Sequence, residues 1–365
     1  MGLGLSPGSG ASLGTVPMRW NPKLLGLYLG TLSALAANPA GIRTPADLLA
    51  YLRQVSGSGT ISGQYVETGD LGPISAIHEQ TGKWLGLIGG DYFHYDQRAK
   101  DPPVTTFNAS AISYWKAGGL IELNLHMPNP TTGGPVYDLS GLDTLGLLQP
   151  RTATHAAFMA ILAKVAAGIR ELQDAGVVVI LRPFHENGGN WFWWGTGYRL
   201  SSEQFVALWR FTHDYFEKSQ GLHNLVWLFE SGQPDVPVTV NYPGDAFVDI
   251  VGQDVYTDHP DSPQAVAAYR QLVATGKLVC MSEFGPKGPQ GGDRAFDETT
   301  LVAALRRQMP RTVFFQQWWD QNAGRVGWGM ASVQSAAAAL NSPWIRNRGD
   351  VSYRPGPAGP DDHPR

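Results

Sequence analysis

The feature that most constrains this chain is a set of eight short apolar runs with helix-forming stretches between most of them. The runs lie at Thr60–Tyr65, Trp84–Tyr92, Leu120–His126, Val177–Glu186, Leu225–Glu230, Ile250–Tyr256, Leu278–Gly285 and Val313–Trp319. Most are continuously apolar rather than alternating, as strands covered on both faces should be. Between them, Phe158, Leu162, Val165, Ile169 and Leu172 repeat at spacings of four and three residues. That spacing predicts one helix over Thr152–Ala175 with a single apolar stripe, stopped at Gly176. Ser201 and Gln204 stand at capping-box spacing ahead of Phe205 and Leu208, and Ser262-Pro263 and Asp297 open two further helices. Eight strands with helices between them predict an α/β fold, a (β/α)8 TIM barrel. No glycine-rich phosphate turn follows the first strand, which counts against a dinucleotide-binding open sheet.

A chain of 365 residues is long enough for one such barrel, expected over residues 18–353. Residues 1–17, rich in Gly and Ser, are expected to be a flexible leader, and residues 354–365, rich in Pro, Gly and Asp, a flexible tail. The stretch 18–37 reads either as a signal peptide or as folded structure at the domain edge. With 27 Lys and Arg against 31 Asp and Glu, the chain lacks the positive excess that a phosphate-binding surface needs, so nucleic acid is not an expected partner. Nowhere do 18 apolar residues run uninterrupted, so no spanning helix and no membrane partner are expected. Cys280 is the single cysteine, which excludes an intrachain disulfide framework and a thiolate metal cluster.

In such a barrel the chemistry belongs at the C-terminal ends of the strands. The predicted ends carry His126 (third strand), His185-Glu186 (fourth), Asp254-Val255-Tyr256 (sixth), Ser282-Glu283-Phe284-Gly285 (seventh) and Trp318-Trp319-Asp320 (eighth). Glutamates at the ends of strands four and seven would face each other across one cleft. Two carboxyl groups about 5–5.5 Å apart are what a retaining glycosidase needs, one as nucleophile and one as acid/base. The histidines show no paired spacing on one helix face, so no metal is expected. Cys280, on a buried strand, is read as packing.

The block Arg182-Pro183-Phe184-His185-Glu186-Asn187-Gly188-Gly189-Asn190-Trp191-Phe192-Trp193-Trp194-Gly195 closely resembles the acid/base signature of glycoside hydrolase family 26, whose best-known members are endo-β-mannanases. Ser282-Glu283-Phe284-Gly285 resembles the family's nucleophile motif. Ser62-Gly63-Gln64, the segment from His126 to Pro130, the segment from Asp249 to Tyr256, and the closing stretch from Trp344 to Arg348 follow in the family's order. The resemblance covers roughly residues 45–350.

It implies that Glu186 is the general acid/base and Glu283 the nucleophile, with His126, His185, Trp191, Asp254, Tyr256 and Trp319 at the sugar site. Arg182 is expected to orient carboxylates inside the barrel. Two of the four tryptophans Trp193, Trp194, Trp318 and Trp319 are expected to be packing. The family often follows its platform tryptophan with Arg or a similar polar residue, where this chain has Trp318-Trp319-Asp320, so which of Trp318 and Trp319 faces the cleft stays open. The loops Phe93–Ser110 and Met127–Arg151 are expected to build the distal subsites. The implied activity is cofactor-free hydrolysis of internal β-1,4 linkages in mannan, galactomannan or glucomannan by a secreted monomer. Secretion is inferred from the polymeric substrate. A β-1,3-xylanase or mixed-linkage β-glucanase, and a non-catalytic carbohydrate-binding barrel, are the alternatives.

Overall fold

Each of the eight apolar runs holds a parallel strand in the computed structural model, which describes residues 38, 40–100, 106–196, 199–237, 240–287, 295–319, 328–333 and 335–354. The expected leader, the stretch 18–37 and residues 355–365 of the expected tail lie outside the described residues. Strand β1 comes in two pieces, Thr60–Ile61 and Gly63–Tyr65. It is followed by β2 Leu87–Asp91, β3 Leu120–Leu125, β4 Val179–Pro183, β5 Leu225–Glu230, β6 Ile250–Tyr256, β7 Leu278–Gly285 and β8 Thr312–Gln317. Each pairs with the next, and the partners Ile61↔Phe314 and Gln64↔Gln317 close β8 onto β1. At the break in β1, Ser62 Oγ accepts the Gly86 N–H at 3.1 Å and donates to Asn347 Oδ1 at 3.0 Å. This side chain ties in the return of the chain, β9 Ile345–Arg346, which pairs with Thr60–Ile61.

The helices are α1 Pro45–Val55, α2 Gly72–Thr81, α3 Thr106–Lys116, α4 Ala153–Asp174, α5 Ser202–Asp214, α6 Pro263–Ala274, α7 Glu298–Arg307 and α8 Ala336–Leu340. The predicted stripe on α4 is buried, and Thr152 caps that helix through the His155 N–H. Ser201 and Gln204 form the expected capping box, and Ser262 and Asp297 cap α6 and α7. α1 approaches both β5 and β8 just before the chain enters β1, so it lies across the N-terminal end of the barrel. Between β5 and β6 the described residues hold a 3-10 turn, Asp245–Phe247, in place of an α-helix.

The barrel interior departs from the branched apolar filling usual for this fold. Toward the C-terminal ends its inward positions carry Glu122, Asn124, Arg182, Glu230, Asp254, Ser282 and Gln316, all buried. Glycines make room for these groups: a Cβ on Gly89 would lie 1.9 Å from Gln316 Oε1, and one on Gly252 2.6 Å from Ser282 Oγ.

One buried acid stands apart from this cluster. Glu298 opens α7 with its side chain fully buried, its Oε2 3.5 Å from Gln317 Nε2 and its Oε1 without a hydrogen-bond partner among the described residues. Burial pushes its carboxyl up to about 8. A carboxyl raised in the fold keeps its proton there and loses it on unfolding. Its stabilising contribution is therefore present at acid pH and is lost as pH rises through about 8. Glu298→Gln keeps the shape without the titration. It is expected to raise the melting temperature by a few degrees above that pH and to leave it unchanged near pH ~4, as thermal unfolding at the two pH values would report.

Candidate active site

Arg182, on β4 and fully buried, is the centre from which the site is built. Its Nε lies 2.6 Å from Asn124 Oδ1 and 3.2 Å from Glu122 Oε1. Its Nη1 lies 3.1 Å from Asp254 Oδ1 and 3.6 Å from Glu230 Oε1, and its Nη2 donates to Glu283 Oε1. Four carboxyl groups thus surround one guanidinium in a region without bulk water, too little positive charge for all four to ionise. Burial pushes Glu122 up to about 8 and Glu230 up to about 7, against the pull of Arg182. Burial and then the charges of Glu230 and Glu283 hold Asp254 well above the ordinary carboxyl range. Burial alone would favour a neutral Arg182, but the surrounding acids, led by Glu283, keep it protonated.

The expected fourth strand is shorter than its apolar run, because Phe184 and Glu186 take left-handed backbone with φ of 51° and 50°. Two such non-glycine residues cannot continue an extended ladder, and they persist only where their surroundings hold them. Here the surroundings are dense. The Glu186 N–H donates to Glu230 Oε1, Asn187 Nδ2 to the Glu230 carbonyl at 2.7 Å, and the Gly188 N–H to the Ser231 carbonyl at 2.8 Å. Trp194 Nε1 donates to the His185 carbonyl at 2.8 Å and Trp193 Nε1 to the Met127 carbonyl at 2.7 Å. Trp193 and Trp194 are fully buried against Phe184, so this pair is packing that fixes the turn. The turn presents Glu186, whose Oε2 accepts the Trp191 indole N–H at 2.7 Å. Burial, then the charges of Glu283 and Glu230, push the Glu186 carboxyl well up.

Glu283 is aimed by the main chain. Partners run Gln253↔Met281 and then Asp254↔Glu283, so β7 holds one residue more than β6 opposite this step, and the register against β8 shifts as well. This β-bulge turns two consecutive side chains inward. Ser282 Oγ donates to Asp254 Oδ1 at 2.7 Å, while Glu283 reaches Arg182 and accepts the Tyr256 hydroxyl at Oε2 over 2.6 Å. Burial and the Glu283 charge hold the Tyr256 phenol well above its ordinary range, so it stays a donor. Oxygens of Glu186, Asp254 and Glu283 all lie within 4.8 Å of one another. The Arg182 guanidinium sits against two of these three acids and supplies positive charge where a cation would otherwise have to.

These groups open into a cavity of about 290 Å³. Its lining combines Glu186, Glu283 and Tyr256 with His126 and His185 from the ends of β3 and β4, and with Tyr95, Tyr137, Phe192, Gln233, Lys287, Trp318 and Trp328. His126 Nδ1 lies 2.6 Å from Asp91 Oδ2, and His126 Nε2 lies 3.0 Å from His185 Nε2. Tyr95 and Tyr137 come from the two long loops expected to build distal subsites.

Sequence expectation and geometry part at three residues. Asp254, expected at the sugar, is fully buried beneath the cavity, where it supports Arg182 and Ser282. Trp318, stacked on Tyr65 at 4.0 Å, lines the cavity, whereas Trp319 is absent from the lining. Trp191 also lies off the lining and acts on Glu186 through its indole N–H. Asp91, Glu122 and Glu230 escaped the sequence reading. Glu230 ends a predicted strand just as Glu186 does, and that position was its available signal.

Comparison with known proteins gives one family. The profile described as Glycosyl hydrolase family 26 matches residues 37–350. A mannan endo-1,4-beta-mannosidase of Bacillus subtilis is 30% identical over 349 residues, covering 89% of this chain and 93% of the relative. The mannan endo-1,4-beta-mannosidase A and B of Caldalkalibacillus mannanilyticus is 31% identical over 342 residues, and the match spans 64% of that relative's length. Among solved structures, a Bacillus subtilis mannanase superposes with a TM-score of 0.76 at 27% identity, over 87% of this chain and 97% of the other.

Proposed function

Since the chain belongs to glycosyl hydrolase family 26, we propose that it is a retaining endo-acting hydrolase of β-1,4-linked mannan, galactomannan or glucomannan. The observation that carries this reading is the pair Glu186 and Glu283, with oxygens within 4.8 Å across one cavity at the C-terminal ends of β4 and β7. The spacing suits direct attack by one carboxylate; inverting enzymes hold the two about 6.5–9.5 Å apart to admit a water. The named activities of the Bacillus subtilis and Caldalkalibacillus mannanilyticus relatives supply the substrate class.

The reaction proceeds in two displacements. Glu283 attacks the anomeric carbon while Glu186 gives its proton to the leaving glycosidic oxygen, forming a glycosyl ester on Glu283. Before this step the Glu283 charge helps to keep Glu186 protonated. Once Glu283 is esterified that charge is gone, the Glu186 carboxyl acidifies, and it becomes the base that takes a proton from the incoming water. Tyr256 and Arg182, released from the full Glu283 carboxylate, stay in place to receive it again at the second step.

Glu186→Ala is expected to lower kcat/KM on mannan roughly 10²- to 10⁴-fold and to cost far less on an aryl mannoside with a good leaving group. Steady-state kinetics on both substrates check the role; equal losses would remove Glu186 as the acid. Substrate class is tested by product analysis on mannan, glucomannan, lichenan and β-1,3-xylan. Preference for either of the last two would replace mannan, and no turnover on any would favour a binding barrel. Proton NMR of the first-formed product is expected to give the retained anomer. A polymer of this size is met outside the cell, which supports an extracellular place of action.

A further inference from the structure

We propose that Glu230 is a positioning residue for the acid/base. It grips the Glu186 main chain and, as a charge close behind it, widens the pH range over which Glu186 can give a proton. The proposal rests on the reading of Glu186 as the proton donor. Glu230 ends β5 and is buried. Its Oε1 accepts the Glu186 N–H and lies 3.6 Å from Arg182 Nη1, while its Oε2 has no hydrogen-bond partner among the described residues. Glu186 has left-handed backbone, so this side chain holds the residue in a conformation that its own sterics disfavour. The carbonyls of Glu230 and Ser231 hold only the two residues that follow, Asn187 through Nδ2 and Gly188 through its N–H.

Contact with the main chain keeps the Glu230 carboxyl within a side chain's reach of the Glu186 carboxyl, in an interior that screens charge poorly. Burial pushes Glu230 up to about 7, against the pull of Arg182 and the Glu186 N–H. Glu230 is therefore mostly neutral at acid pH and ionised in mildly alkaline solution. That is where Glu186 most needs a neighbouring charge to oppose its own ionisation. The other groups that face the pair act differently. Glu283 from β7 opposes ionisation of both, and Arg182 from β4 favours it. Asp254 from β6 and Glu122 from β3 share the Arg182 guanidinium and are held up first by burial. The Tyr256 and Tyr137 phenols and the Cys280 thiol are pushed up by burial and stay neutral. Glu230 is thus the acid that both touches Glu186 and changes charge near neutrality.

Glu230→Gln separates the two roles, because the Glu186 N–H keeps the amide oxygen at the Oε1 position: the acceptor survives and the charge does not. Glu230→Leu removes both. Carbon-13 NMR of the side-chain carboxyl carbons follows Glu186 directly in the free protein, its signal assigned by its loss in Glu186→Gln. In Glu230→Gln that titration is expected about one pH unit lower than in wild type. The alkaline limb of kcat/KM on mannan is expected to move with it, so that activity at pH ~9 relative to pH ~6 falls roughly tenfold. On an aryl mannoside with a good leaving group, which needs little protonation, the shift of the limb is expected to vanish. At pH ~6 on mannan, Glu230→Leu is expected to show kcat at least roughly tenfold below that of Glu230→Gln, because its acid is misplaced. Should the Leu variant fail to fold, Glu230→Asp, one methylene too short to reach the N–H, supplies the same comparison. An unmoved Glu186 titration in Glu230→Gln would overturn the proposal whatever the activity, since another acid of the cluster would then carry the charge. Equal kcat in the variants with and without the acceptor at pH ~6 would remove the grip. A shifted titration in a protein inactive on every polysaccharide would support the coupling while sinking the reading of the cavity as a mannan site.

Discussion

Glu283→Ala lowers turnover of mannan by at least about 10⁴-fold, the loss expected when a covalent nucleophile is removed. No neighbouring acid can replace it. Asp254 lies within 4.8 Å but is buried and held by Arg182 and Ser282, and Glu186 serves the leaving oxygen in the proposed mechanism. The fold should survive, since Arg182 keeps Glu122, Glu230 and Asp254 as partners. Kinetics on mannan, with circular dichroism and calorimetric binding of a mannooligosaccharide, check the three statements separately. Azide offers a finer test on an activated aryl mannoside. In Glu283→Ala it should enter from the vacated side and give the inverted mannosyl azide, whereas in Glu186→Ala it should attack the glycosyl ester and give the retained one. Activity of Glu283→Ala within tenfold of wild type would end its assignment as nucleophile.

Arg182→Met destabilises the protein by about 3–5 kcal/mol, the cost of stripping a buried charge network of its single cation. The loss should depend on pH in a definite direction. Without the guanidinium, the acids around position 182 are relieved of the charge that favours their ionised forms, so each holds its proton to higher pH than in wild type. Folding the variant near neutrality requires taking up protons that the unfolded chain releases, and this becomes harder as pH rises. Urea unfolding near pH ~5 should therefore show a smaller deficit than unfolding near pH ~8. Equal deficits at the two pH values would mean that Arg182 matters through its packing and not its charge.

The barrel was legible because strands covered on both sides leave continuous apolar runs, and the two glutamates were legible because they end such runs. What escaped is information that no single run carries. The fourth run extends to Glu186 in the sequence, but the left-handed turn at Phe184 and Glu186 is imposed by Glu230, Ser231 and the tryptophans of the following loop. Asp91 sits within a run that looked like a strand body, and its partner His126 is 35 residues away. Trp318 and Trp319 are neighbours just past the end of β8, and neither their type nor their spacing says which of the two turns to the cavity. The connection after β5 did carry a cue, since Pro234, Pro237 and Pro243 with Gly232 and Gly244 break a helix, and the described residues hold only a 3-10 turn there.

The extra residue in β7 has a consequence for how the proposed nucleophile, Glu283, tolerates change. Its direction is written in a residue count along one wall of the barrel, not in a rotamer choice or in the chemistry of Ser282. Substitutions around it can alter how well the carboxylate is hydrogen-bonded, but they leave where it points untouched. A single deletion there would rotate the acid out of the groove and silence the enzyme with every functional side chain still present.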